Sequence, residues 1–140
     1  QEAYRQGIRV SVLPGANAAL CGLVASGMMA GQFVFLGFPP RPKSDHALFF
    51  SELRQERRTL VLYESPPYLA STLMALKEVL GGSRSVALAF NLTKPDETVT
   101  RGTLTELCEQ VTLRTRKGEY VVIVEGKQKR EEESVPPIAE

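Results

Sequence analysis

Residues 59–66, Thr-Leu-Val-Leu-Tyr-Glu-Ser-Pro, compress a strand, a polar corner and a helix start into one short stretch. Leu60–Tyr63 is a short apolar run of strand formers, the pattern of a buried strand. Glu64 then sets a carboxylate just past the strand. Ser65 is a good helix N-cap and Pro66 a good first helical residue. A strand that turns directly into a helix is the building unit of layered α/β folds. In an open sheet of that kind, ligands bind at the carboxyl ends of the strands.

The same alternation runs through the rest of the chain. Ile8–Leu13 reads as a strand stopped by Pro14-Gly15, and the small apolar run from Ala16 to Ser26 as a tightly packed helix. Phe33–Leu36 is a second strand, followed by the loop Gly37–Lys43, too rich in proline and glycine to be regular. Ser44 or Asp45 is expected to cap a helix running to about Gln55. The helix from Pro66 to Leu80 carries Leu69, Leu73, Leu76 and Leu80 on one face and stops at Gly81-Gly82. Ser85–Asn91 is a further strand, Lys94-Pro95-Asp96 a turn, and Glu97–Arg101 an antiparallel strand leading out of it. Thr103 and Glu106 make a capping-box pattern that opens a helix to about Thr112. Gly118 precedes a last strand, Tyr120–Val124. The expected fold is α/β, a mixed, mostly parallel sheet flanked by helices. Residues 1–126 form the domain, and residues 127–140 a charged, mobile tail with a basic cluster, an acidic run and prolines.

Composition narrows the function. A chain of 140 residues supports one domain with a real core. Its net charge is only +1, so any nucleic-acid contact must come from local patches. No apolar run reaches the roughly 18–20 residues that span a bilayer. The opening residues, Gln1–Gln6, are polar and unlike a secretion signal. Cys21 and Cys108 fall in expected helices, far apart, and read as buried reduced thiols. These features point to the cytoplasm and away from a membrane. The chain does not begin with Met and its first expected strand is under way by Ile8, so it reads as a piece of a longer protein.

The polar residues leave more than one reading each. Glu64 suits a general base or a hydrogen-bond acceptor, and equally a solvated carboxylate beside a helix dipole. Asn17 suits a ligand contact or a plain N-terminal cap. Asn91-Leu92-Thr93 ends a strand, as a ligand edge or an ordinary turn. Arg41 and Lys43 sit on a proline-stiffened loop, as phosphate contacts or solvated charges. Arg54, Arg57 and Arg58 end a helix, where cations are favoured. Arg114, Arg116 and Lys117 are most simply a polar turn. His46, the sole histidine, lies in the first turn of an expected helix and reads as a surface residue. One histidine and two distant cysteines argue against a Ser-His-Asp or Cys-His site. Nothing resembles a phosphate-binding Gly-rich loop or a zinc-ligand cluster.

The segments taken in order carry a resemblance. They are Val12-Leu13-Pro14-Gly15-Ala16-Asn17-Ala18, Phe33–Phe38, Thr59–Pro66, Leu92-Thr93-Lys94, Arg101-Gly102-Thr103-Leu104 and Gly118–Val122. From about Ile8 to Gly126 the chain resembles the C-terminal half of the tetrapyrrole (corrin/porphyrin) methylase superfamily. Within it, the chain is most similar to the bacterial enzymes that methylate a cytidine 2′-O-ribose of small-subunit ribosomal RNA. The resemblance implies two α/β domains with S-adenosylmethionine in the cleft between them, this chain being the second. It implies cofactor contacts from Asn17, Ala18, Tyr63, Glu64, Asn91, Leu92 and Glu119. The substrate it implies is ribosomal RNA or the small ribosomal subunit, and the basic loop at Arg41 and Lys43 is the expected contact with it. With half the cleft absent, the chain alone is expected to fold without catalysing, and to self-associate over the exposed cleft face.

The chain also departs from the pattern of that branch. Asn17 stands where the family usually has Ser. Pro67-Tyr68 replace a frequent His-Arg, Phe90-Asn91 an Arg-Glu, and Pro95-Asp96-Glu97-Thr98 a Leu-His-Glu-Glu run. Positive groups are thereby lost beside the cleft, which weakens phosphate contact. Two alternative functions follow: methylation of a tetrapyrrole or other small molecule, and a non-catalytic paralogue that binds cofactor or partner.

Overall fold

The computed structural model describes residues 1–128. Nine of its elements build the domain, after a single-turn helix α1 (Glu2–Arg5). They are α2 (Ala18–Ser26), β1 (Phe33–Gly37), α3 (Lys43–Glu52), β2 (Thr59–Glu64), α4 (Pro66–Leu80), β3 (Ser85–Phe90), β4 (Thr98–Thr103), α5 (Leu104–Leu113) and β5 (Tyr120–Val124). A 3-10 turn, Leu53–Gln55, closes α3.

The strands form one sheet in the order β1-β2-β5-β3-β4. Only β1 and β2 pair in parallel; β5 runs antiparallel to both β2 and β3, and β4 antiparallel to β3. The expected mostly parallel sheet is therefore corrected to a mixed sheet dominated by antiparallel pairs. The crossover helices do orient β1, β2 and β3 alike. β5 then slots between β2 and β3 in the opposite direction, which no local pattern announces.

The period-2 rule divides the sheet residues between two faces. Leu60, Leu62, Val86, Leu88, Val122 and Val124 face Leu69, Leu73 and Leu76 of α4 and Leu104, Leu107 and Cys108 of α5. Phe50 of α3 and Leu53 complete that core. Leu73 is fully buried, and truncating such a side chain to Ala costs about 2–5 kcal/mol. The other face is thinner: Val61, Ala87, Ala89, Val121 and Ile123 meet only Ala19 and Leu23 of α2 among the fully buried side chains. Small residues permit this close approach. A Cβ on Gly22 would lie 2.9 Å from Cγ1 of Val121. Arg101 reaches across from β4 and donates to the Ser26 carbonyl at 2.8 Å and to that of Ala25, closing the helix where its dipole is negative.

Several local expectations are corrected. Ile8–Leu13 forms no strand; it pairs with nothing among the described residues, and Ile8, Val10, Val12 and Leu13 are exposed. A strand needs a partner for its backbone groups, and the sheet ends at β1. The second helix starts at Ala18, not Ala16, because Asn17 is its cap. The third helix begins at Lys43 after Pro42, before Ser44 or Asp45 can cap it, since Pro42 fixes the turn into the helix. Cys21 is exposed while Cys108 is buried, because Cys21 lies on the outer side of a helix that touches the sheet along one stripe. The capping box of Thr103 and Glu106 forms as expected. Residues 129–140 of the expected tail lie outside the described residues. Lys127 is fixed, its N–H donating to the Glu56 carbonyl at 2.7 Å.

Candidate functional site

Register brings the ends of three strands and the start of a fourth to one edge. Glu64 of β2 and Phe90 of β3 both lie opposite Tyr120, where β5 begins. Gly37 ends β1 at the same edge, with φ of +63° that releases the chain into the loop before α3. The candidate residues of the sequence reading gather here in two groups, one on each face of the sheet.

On the α2 face, the Tyr63 hydroxyl accepts the Ala19 N–H at 3.1 Å, tying the tip of α2 to the end of β2. Asn17 caps that helix, its Oδ1 accepting the Leu20 N–H at 3.0 Å. Ala18 is exposed at the tip. The Tyr63 ring lies edge-on to Phe35 at 4.9 Å and tilted to Phe38 at 5.7 Å. Leu92 and Tyr63 pack on the same small core as Ala19 and Leu23. Asn17, Ala18, Tyr63 and Leu92 thus line one corner.

Next to it the backbone is strained. Asn91 and Thr93 adopt φ of +46° and +70°, a region that non-glycine residues visit at a cost of order 1–3 kcal/mol. Asn91 tolerates it and is over-determined by its bonds. Its Oδ1 accepts the Glu119 N–H at 2.9 Å, its own N–H donates to the Glu119 carbonyl at 2.9 Å, and its Nδ2 donates to both oxygens of Asp96 at 3.0 Å. The Glu97 carboxylate accepts the Thr93 N–H. Gly118 makes room: a Cβ there would lie 2.4 Å from Asn91 Oδ1. Asn91 and Glu119 are therefore brought together, although the Glu119 carboxylate itself points to solvent and pairs with Lys94 at 3.1 Å.

On the other face, Glu64 is fully buried and its carboxylate is occupied. Oε2 accepts the Thr72 hydroxyl at 2.6 Å, Oε1 accepts the Ser65 N–H at 2.8 Å, and the Arg41 guanidinium donates to Oε1 at 2.8 Å and Oε2 at 3.4 Å. The Ser65 side chain makes no capping bond; the carboxylate beside it takes the backbone N–H instead. The hydrogen bond to Glu64 pushes the Arg41 guanidinium still higher than its ordinary pKa. Arg41 also lies over the Tyr68 ring, 3.9 Å from its centroid. Lys43, exposed at the start of α3, joins none of these contacts. His46 packs its ring against Phe50 at 4.7 Å, away from this edge.

Sequence reasoning missed Thr72 and Tyr68 as site residues. Thr72 falls at the i+3 position after Leu69 on the core-facing stripe of α4, and a polar residue in an apolar stripe is the signal that marks it. It also missed Arg116, which stacks on Phe90 at 4.2 Å and bonds Asp96 at 3.2 Å, more than a solvated turn. A cavity of about 1080 Å³ lies at the opposite edge, between Thr59, Ser85, Arg101 and Lys127. Arg101 is spent there on helix carbonyls, and the strained, interlocked groups are at the other end. Among the described residues no cluster of His, Cys, Asp or Glu is suited to hold a metal, and no helix is long and apolar enough to cross a membrane.

The model of the tetrapyrrole (corrin/porphyrin) methylases matches residues 1–108. The chain belongs to that family. It is 42% identical over 124 residues to a protein of Halalkalibacterium halodurans named ribosomal RNA small subunit methyltransferase I, covering 89% of this chain and 43% of that protein. It is similar in structure to the methyltransferase CobJ, with a TM-score of 0.67 and 18% identity over 89% of this chain and 55% of the other. A uroporphyrin-III C-methyltransferase of Thermus thermophilus, solved with S-adenosyl homocysteine, matches with a TM-score of 0.56 and 19% identity, covering 86% and 55%. These two structural likenesses speak for the tetrapyrrole methylase fold. The chain spans about half or less of the curated relatives it matches.

Proposed function

We propose that this chain supplies one wall of an S-adenosylmethionine-dependent enzyme that methylates a ribose 2′-hydroxyl of small-subunit ribosomal RNA. The observation that carries the reading is the strained Asn91–Thr93 corner locked to Glu119 beside the tip of α2. The relatives named as ribosomal RNA methyltransferases support the RNA substrate. The Thermus enzyme with S-adenosyl homocysteine supports the cofactor.

The residues present fit half of such a cofactor site. The exposed tip of α2 at Ala18 offers a helix N-terminus, the corner at Asn91 and Leu92 offers backbone groups and an apolar side chain, and Tyr63 closes the floor between them. When bound, S-adenosylmethionine supplies a methyl group made electrophilic by its sulfonium. The protein's part is to hold donor and acceptor in line, which alone is worth several orders of magnitude in rate. Asn17, Ala18, Tyr63, Asn91, Leu92 and Glu119 would hold the cofactor. Glu64 would serve through Arg41, since its carboxylate is already filled from inside the chain. Arg41 and Lys43 would meet RNA phosphates.

Leu20, Val24, Phe35 and Phe38 remain exposed on the α2 side, where the other half of the cleft would sit. Self-association of the chain alone over this face is expected, and sedimentation equilibrium checks it. A ribosomal substrate would place the protein in the cytoplasm. The deciding experiment deletes the encoding gene and maps 2′-O-methylation of small-subunit RNA by nucleoside mass spectrometry. Loss of one methylated nucleoside, restored by the gene in trans, supports the reading; an unchanged map overturns it.

A further inference from the structure

We infer that the loop between β1 and α3, together with the first turn of α4, is a stacking platform for an unpaired RNA base. The inference rests on the RNA reading above and deepens it. Its starting point is the state of Arg41. The guanidinium is fixed on one edge by Glu64, at 2.8 and 3.4 Å, and on one face by the Tyr68 ring at 3.9 Å, yet the side chain remains 38% exposed. A long cationic side chain on a surface loop normally moves freely and loses rotamer entropy when it binds. Here that ordering has already occurred, because the acceptor is a buried carboxylate that Thr72 and the Ser65 N–H lock in turn.

The surroundings are aromatic as well as basic. Tyr68 is 46% exposed, while Phe38 turns to Tyr63 on the other face and Pro39, buried between Phe38 and Arg41, holds the loop down. Residues 37–43 carry Arg41 and Lys43 and no acid. A guanidinium plane is weakly hydrated and accepts a nucleobase on its face, and exposed aromatic rings do the same without regard to sequence. The N–H groups of Arg41 not used by Glu64, and the Lys43 ammonium, then face the phosphates on either side. Paired bases hide their faces in the stack, so this combination selects a single strand over a duplex. Its place beside the strand-end corner suits an RNA whose target nucleotide is splayed out of a helix.

Anisotropy titration of an end-labelled, single-stranded oligoribonucleotide with the 140-residue chain tests the inference. The native chain is expected to bind the strand more tightly than the same strand in a duplex. Tyr68→Ala should weaken binding roughly tenfold, within the range for a lost base–aromatic stack, and Tyr68→Phe should restore it. Arg41→Met should lower the slope of log affinity against log salt by about one, the signature of one lost phosphate contact. Circular dichroism verifies that each variant folds, and Tyr68 is exposed enough that its removal leaves the core intact. If RNA binds but Tyr68→Ala binds equally well, or the duplex binds as tightly, the platform is wrong and the methyltransferase reading stands. If no RNA binds at all, the platform falls, and the methyltransferase reading is decided separately by the methylation map.

Discussion

Thr72→Val isolates the bond on which the buried carboxylate depends. Valine has nearly the shape of threonine and a similar helix propensity, so neither cavity nor backbone terms enter. What is lost is the hydroxyl that donates to Glu64 Oε2 at 2.6 Å. That oxygen keeps only the longer Arg41 contact at 3.4 Å, while Oε1 keeps the Ser65 N–H and the shorter Arg41 bond. A hydrogen bond to a charged group contributes about 1.5–3 kcal/mol, and here the acceptor cannot turn to water instead, so a loss near 2 kcal/mol is expected. At the usual unfolding entropy per residue, this lowers the thermal midpoint by about 7 °C in a chain of this length. Urea titration followed by circular dichroism measures the free energy, and a calorimetric scan the midpoint. Thr72→Ser, which keeps the donor, should recover most of the loss. In a Glu64→Gln background the cost of Thr72→Val should shrink by about 1 kcal/mol or more, since the charge that made the bond strong is gone. If Thr72→Val stays within about 0.5 kcal/mol of the native chain in both backgrounds, the carboxylate is not held as described.

Three further outcomes follow from other contacts. Gly118→Ala would set a Cβ 2.4 Å from Asn91 Oδ1 and 2.5 Å from the Phe90 ring; a destabilisation of about 1–3 kcal/mol is expected, with weaker S-adenosylmethionine binding by calorimetry, and native behaviour would refute the interlock. Cys21 is exposed, whereas burial pushes the Cys108 thiol above its ordinary pKa, so Ellman's reagent should titrate one thiol in the native chain and the second only in denaturant. The Arg58 side chain, above all, holds the Glu56 carboxyl down to about 2. A depressed acid stabilises the fold above its ordinary range and loses that effect as pH falls. Arg58→Met should therefore lower the urea midpoint slightly at pH 7, and the difference should vanish on acidification toward pH 2, where an undiminished difference would contradict the pairing.

Much of the domain was legible from residues that act locally. Leu69, Leu73 and Leu76 recur at helical spacing, and α4 buries that stripe. Thr103 and Glu106 satisfy each other's backbone partners, and the helix starts there. Asn17 was read as a cap or a ligand contact, and as a cap it is seen directly. What escaped was set by distant partners. Ile8–Leu13 has the apolar pattern of a strand, yet among the described residues nothing lies beside it to pair with. The bond between Asn91 and Glu119 joins two turns far apart in sequence, and no propensity encodes it. Glu64 was left open between a base, an acceptor and a solvated carboxylate; it is a buried acceptor, and its side-chain donors come from a loop before the strand and a helix turn after it. Only the sheet brings those into range.

The strand order has a consequence for how the chain assembles. Among the described residues, β5 is the last strand in sequence yet the middle strand in space, and β2 and β3 are joined only through it. A nascent chain leaving the ribosome therefore holds two separate half-sheets, each with an open hydrogen-bonding edge, until residues 120–124 emerge. Such non-local closure is slow relative to helix formation, and open strand edges recruit other chains while they wait. Early helices and late closure make chaperone capture most probable in that interval. Proteolysis or premature termination just before Tyr120 would remove the keystone of the sheet rather than trim its border.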